Sequence, residues 1–131
     1  MNGRLAIIED EAEVRESVAA MLSTIGLQAE SFADAGQFLA SVSAGAAYDL
    51  CIVDINLPGM RGDDMLVELG RNRQARDTVI LFLSGLEAEE LEMARRRLSA
   101  FFAVVDYSCK PVDAGSLLRR VERLIAQKDA S

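Results

Sequence analysis

The sequence predicts an α/β protein: a doubly wound, five-stranded parallel sheet with helices on both faces. Three observations predict it. Short apolar runs without polar alternation recur along the chain, as central strands of a sheet covered on two sides would. Each run is followed by a stretch whose apolar residues fall at helical spacing. The two kinds alternate five times within 131 residues, about one domain's length. Such alternation implies right-handed crossovers. Residues 1–131 therefore read as a single domain, with a core from about 4 to 127 and a polar tail over 128–131.

In order, Leu5-Ala6-Ile7-Ile8 is an apolar run closed by Glu9-Asp10-Glu11. Val14, Val18, Met21, Leu22 and Ile25 then mark a helix, with Gly26 placed to stop it. Leu27 to Phe32 alternates like a half-buried edge strand, and Ala35, Phe38, Leu39 and Val42 mark a second helix. Asp49 to Val53 is a buried strand ending at Asp54, before the Pro- and Gly-punctuated loop Asn56 to Gly62. Asp63 and Asp64 suit the first turn of a third helix, whose inner stripe is Met65, Leu66 and Leu69. Thr78 to Leu83 is a strand ending at Ser84-Gly85. Leu91, Ala94 and Leu98 mark a fourth helix, with Arg95, Arg96 and Arg97 at its solvated end. Ala103 to Cys109 is the fifth strand, followed by Lys110-Pro111. The last helix carries Leu117, Leu118, Val121, Leu124 and Ile125, with Arg119, Arg120 and Arg123 read as solvated. Five such units fit the flavodoxin-like strand order 2-1-3-4-5, which binds ligands beyond the carboxyl ends of strands one and three.

Composition narrows the chemistry. Half the residues are hydrophobic, which excludes a disordered chain. The 14 Lys and Arg against 21 Asp and Glu give −7, which disfavours nonspecific contact with nucleic-acid phosphates or anionic lipid. His is absent, so this chain supplies no His ligand and no His acid–base group. Cys51 and Cys109 lack CxxC spacing, and no signal peptide or 18-residue apolar span can be drawn. A reduced, soluble, cytoplasmic protein is expected.

The strand ends carry the polar groups: strand one ends in Glu9 and Asp10, strand three in Asp54, strand four in Ser84 and strand five in Lys110. In the predicted order, three carboxylates, a hydroxyl and an ammonium converge on one rim. Crowded carboxylates repel unless a cation shares the site. Oxygen ligands without His or Cys select a hard cation, and Mg²⁺ is the natural occupant. Taken singly, each of these residues also fits an ordinary cap or loop role.

Together, Ile7-Ile8-Glu9-Asp10-Glu11, Val53-Asp54-Ile55-Asn56-Leu57-Pro58-Gly59-Met60-Arg61-Gly62, Leu83-Ser84-Gly85 and Tyr107-Ser108-Cys109-Lys110-Pro111 resemble a response-regulator receiver domain of two-component signalling. The resemblance runs from Arg4 to about Gln127. It implies that Asp54 is the phosphoacceptor, taking a phosphoryl group from a sensor histidine kinase or a His phosphotransfer protein. It implies a Mg²⁺ site from Glu9, Asp10, the Asp54 carboxylate and the Asn56 backbone carbonyl. Lys110 and Ser84 would bind the phosphoryl oxygens, Pro111 would follow in an often cis link, and Tyr107 would be an aromatic switch residue. Asn56 and Leu86 would occupy positions that tune the acyl-phosphate lifetime. The output would be a downstream protein target met through the fourth helix, fifth strand and last helix, with a homodimer on that face left open.

The chain departs from the family pattern between Ser84 and Lys110, which is longer than usual. Leu98-Ser99-Ala100-Phe101-Phe102 replaces a small Gly-Ala turn, and Phe101 and Phe102 either close the core or form a docking surface. No DNA-reading segment is expected in this chain, so direct nucleic-acid and membrane contacts are not. A phosphorylation-independent interaction module is the alternative, although the complete set of polar residues argues against it. An aspartate-nucleophile phosphatase is a poorer match. Asn56 stands where its acid–base Asp would be, and an amide cannot take that proton.

Overall fold

A computed structural model describes residues 3–71, 73–85 and 87–130, with backbone only at 73, 74 and 130. Leu86 lies outside the described residues. The elements are β1 (Leu5–Ile8), α1 (Ala12–Ser23), β2 (Ala29–Phe32), α2 (Ala35–Ser43), β3 (Leu50–Asp54), α3 (Gly62–Gly70), a 3-10 turn (Arg73–Asp77), β4 (Val79–Ser84), α4 (Ala88–Leu98), β5 (Val105–Cys109) and α5 (Ala114–Ala130). The five strands form one sheet in the order β2-β1-β3-β4-β5, every pair parallel. This is the predicted flavodoxin-like order.

The pleat explains why the inner strands are apolar throughout. Along β1, Leu5 and Ile7 face one side, where Val18 and Leu22 of α1 meet Leu117, Val121 and Leu124 of α5. Ala6 and Ile8 face the other, where Phe38, Met65, Leu66, Leu91 and Leu98 come from α2, α3 and α4. Burying both faces removes the alternation that a half-exposed strand would show. The two edge strands are not buried on both faces: β2 leaves Glu30 and Ser31 exposed, and in β5 Val105 and Tyr107, packed on the core, alternate with Asp106 and Ser108.

Several boundaries shift. Asp54 and Ser84 end their strands as expected, with backbone pairing through Asp54↔Leu83 and Ser84↔Cys109, whereas Glu9, Asp10 and Lys110 lie just past β1 and β5. β2 and β5 begin later than the apolar pattern does, at Ala29 and Val105. Gly26 (φ +80°) closes the turn after α1, where Leu27 N–H reaches Leu22 O at 3.1 Å. The expected tail at 128–130 is helical instead, since α5 runs to Ala130. There Lys128 Nζ donates to the Asp77 carbonyl and lies 3.5 Å from Asp49 Oδ1, and these contacts hold the end of the helix.

The lengthened segment closes the core. Phe102 is buried, and Phe101 packs on Gly70, where an added Cβ would lie 2.6 Å from Phe101 Cβ. Two of the arginines read as solvated also make ion pairs between elements. Arg97 NH1 meets Asp63 at 3.3 Å and Asp64 at 2.9 Å, joining α4 to α3, and Asp63 itself is buried against Arg61. Arg120 NH1 lies 2.9 Å from Asp106 on β5.

Candidate functional site

The predicted rim forms at the carboxyl ends of β1, β3, β4 and β5. Glu9 follows β1 and is held at every polar group. Its N–H donates to Phe32 O (3.0 Å), its carbonyl accepts from Arg15 NH1 (2.7 Å), and Oε1 accepts from Glu11 N (3.2 Å). Its Oε2 is fully buried and lies 3.0 Å from Lys110 Nζ as an ion pair, without hydrogen-bond geometry. Asp10, one residue on, is exposed.

Asp54 is the last residue of β3 and is buried. Its Oδ1 accepts from Asn56 N (3.1 Å), and its Oδ2 lies 3.3 Å from Lys110 Nζ. The close pass of α3 fixes this corner. Gly62 N donates to Ile55 O at 2.8 Å, and a Cβ on Gly62 would fall 2.3 Å from the Asp54 carbonyl oxygen. Only glycine lets the helix start so near the strand end, a requirement the sequence pattern did not single out.

Carboxylate oxygens of Glu9, Asp10 and Asp54 lie within 4.8 Å of one another. Burial, reinforced by the neighbouring Asp54 charge, pushes the Glu9 carboxyl above its ordinary range even against Lys110. Burial alone would lower the Lys110 ammonium, but Glu9 and Asp54 together hold it above its ordinary value. Lys110 thus stays charged and shared by two acids, leaving the cup with an excess of negative charge. A hard cation with oxygen ligands fits this donor set, and the buried Oε2 without a hydrogen bond is the atom such an ion would satisfy.

The remaining predicted residues lie alongside. Ser84 is fully buried, and its carbonyl accepts from Lys110 N at 2.8 Å. Asn56 is exposed on the same rim, and the Lys110–Pro111 peptide is cis. Tyr107, half-buried, pairs with Phe82 across β4 and β5 and packs against the α2–α3–α4 side of the core. Arg15, which the sequence pattern did not single out, joins the site through backbone carbonyls.

The family model for the response regulator receiver domain matches residues 5–122. The chain belongs to this family. Receiver domains are signalling modules rather than classical enzymes. Similar curated proteins include the regulatory protein VanRB of Enterococcus faecalis, 31% identical over 99% of this chain and 56% of its own length. The transcriptional regulatory protein QseB of Escherichia coli O157:H7 is 32% identical over 93% of this chain and 52% of its own length. This receiver domain thus spans about half the length of the curated relatives it matches. Among solved structures, the chemotaxis response regulator CheY4 of Vibrio cholerae superposes with a TM-score of 0.82 at 23% identity. That match covers 95% of this chain and 99% of CheY4, and it shows the fold. NtrX of Brucella abortus gives 0.84 at 27% identity, over 99% of this chain and 28% of its own. Among the described residues, no helix is long and apolar enough to cross a membrane.

Proposed function

We propose that this receiver domain is a phosphoacceptor and that Asp54 is the residue modified. The observation that carries the reading is the meeting of three acids and one ammonium at the strand ends, with Lys110 Nζ 3.3 Å from Asp54 Oδ2. An Asp54 carboxylate oxygen attacks the phosphorus of a phosphohistidine on a sensor kinase or phosphotransfer protein. The new O–P bond forms as the N–P bond breaks, and the partner's imidazole leaves. Phosphoryl transfer asks mainly for positioning and for positive charge at the equatorial oxygens. Lys110 supplies one such charge, and the Ser84 hydroxyl supplies a donor on β4. Glu9, Asp10, Asp54 and the Asn56 carbonyl hold Mg²⁺, which when bound contributes further positive charge toward those oxygens.

The acyl phosphate adds charge and acceptor oxygens at Asp54. Drawing Ser84 and Lys110 toward them shifts the loops after β4 and β5, and biases the α4–β5–α5 face, with Tyr107, toward an active arrangement. That face then meets a downstream protein in the cytoplasm. Incubation with acetyl phosphate and Mg²⁺ should add one phosphoryl group by intact-mass spectrometry, absent in Asp54→Ala and without Mg²⁺. No label, or label at another residue, would sink the reading and favour a phosphorylation-independent module.

A further inference from the structure

We infer that Arg15 is a positioning residue for the acidic cup, fixing the β1–α1 turn and through it the aim of Asp10. The inference rests on the reading of Glu9, Asp10 and Asp54 as a divalent-cation site. Arg15 is in the second turn of α1 and is half-buried. Its NH1 reaches back past the start of its own helix to the Glu9 carbonyl at 2.7 Å and the Asp10 carbonyl at 3.3 Å.

A cation near a helix N-terminus opposes the helix dipole. Its placement there is offset by those two acceptors, which precede the helix and lie outside its hydrogen-bond ladder. The two acids depend on it unequally. Glu9 has three further tethers, through Phe32 O, Glu11 N and Lys110. Asp10 has none: among the described residues its carboxylate makes no hydrogen bond or ion pair, and its carbonyl accepts from Arg15 alone. The direction of the Asp10 carboxylate is therefore set by its backbone, and Arg15 is what holds that backbone. Without it, a cation must order the turn as well as the side chain, and the lost entropy weakens binding. Groups that orient ligands in this way typically change metal affinity by about 10- to 100-fold.

Charge alone predicts the reverse. Removing a positive group beside three acids should tighten the binding of a cation. The two accounts differ in sign, and calorimetric titration of the full chain with MgCl₂ separates them. Arg15→Met and Arg15→Gln are expected to weaken Mg²⁺ binding about 10-fold. Arg15→Lys, which keeps one donor nitrogen, should recover most of the loss, and Asp10→Asn sets the floor. Thermal melts without Mg²⁺ report any loss of stability separately, and Arg15→Gln serves if Arg15→Met does not fold. No binding by the wild-type chain overturns the metal-site reading and this inference with it. Wild-type binding with the Met and Gln variants equally tight or tighter overturns this inference alone, whatever their melting temperatures.

Discussion

The two ends of the sheet spend their polar residues differently. At the amino ends of the strands, polar side chains pair with one another across the fold. Arg4 donates from Nε to Glu30 Oε1 at 3.0 Å and stacks 5.1 Å above the Tyr48 ring. The Tyr48 hydroxyl donates to Glu30 Oε2 and also meets Ser41 Oγ, both at 2.7 Å. Thr78 Oγ1 donates to the Tyr48 carbonyl, and Lys128 crosses from α5 to Asp77 and Asp49. At the carboxyl ends, three acids cluster around one lysine that pairs with only two of them, Glu9 and Asp54, and a buried Glu9 oxygen lacks a hydrogen bond. The lower end is built for stability. The upper end holds charge that the fold alone does not neutralise, as the proposed cation and phosphoryl site requires.

The largest expected effect comes from breaking the lower end. Tyr48→Ala removes a buried ring packed against Phe32 and Phe38, and takes a hydroxyl partner from Ser41 and Glu30. Urea unfolding should show a loss of about 3–5 kcal/mol. A loss below about 1 kcal/mol would mean that this end is not the stabilising one.

A smaller effect, a few tenths to about 1 kcal/mol at the exposed Glu30, has opposite sign at the two ends. Burial raises the Glu9 carboxyl above its ordinary value of 4.5, so its charged form costs stability, a cost absent below 4.5 and felt as pH rises through the raised value. Glu9→Gln should therefore stabilise the protein at pH 7, and the gain should vanish in acid. The Tyr48 hydroxyl and then Arg4 lower Glu30 below 4.5, so its contribution is present above 4.5 and lost as pH falls through the lowered value. Glu30→Gln should destabilise at pH 7, and that loss should fade in acid. Unfolding measured across pH 3 to 8, as an order-of-magnitude window around these shifts, compares the two. Equal signs would erase the distinction between the ends.

What the sequence revealed follows the same division. Leu5 to Ile8 and Val79 to Leu83 are buried on both faces, so local hydrophobicity alone located the strands. The acids stood out because each ends such a run. The lower network was illegible because its partners are far apart in sequence and each looks like ordinary surface polarity: Arg4 and Glu30, Tyr48 and Glu30, Lys128 and Asp77. Lys128 read as part of a tail because its partners were unknown. Asp63 read only as a first-turn helix acid, and its burial beside Arg61 and beside Arg97 from another helix left no mark in the local pattern. Arg15 was hidden for a different reason, since its contacts are to carbonyls, which no side-chain pattern records.

The most direct test of the unneutralised upper end is thermal unfolding with and without Mg²⁺. The wild-type chain should be stabilised, by about 2.7 kcal/mol when free Mg²⁺ is a hundredfold above its dissociation constant. Asp10→Asn should lose most of that response, and Tyr48→Phe should keep it while starting from a lower melting temperature. A wild-type chain indifferent to Mg²⁺, or a response undiminished in Asp10→Asn, would contradict the account.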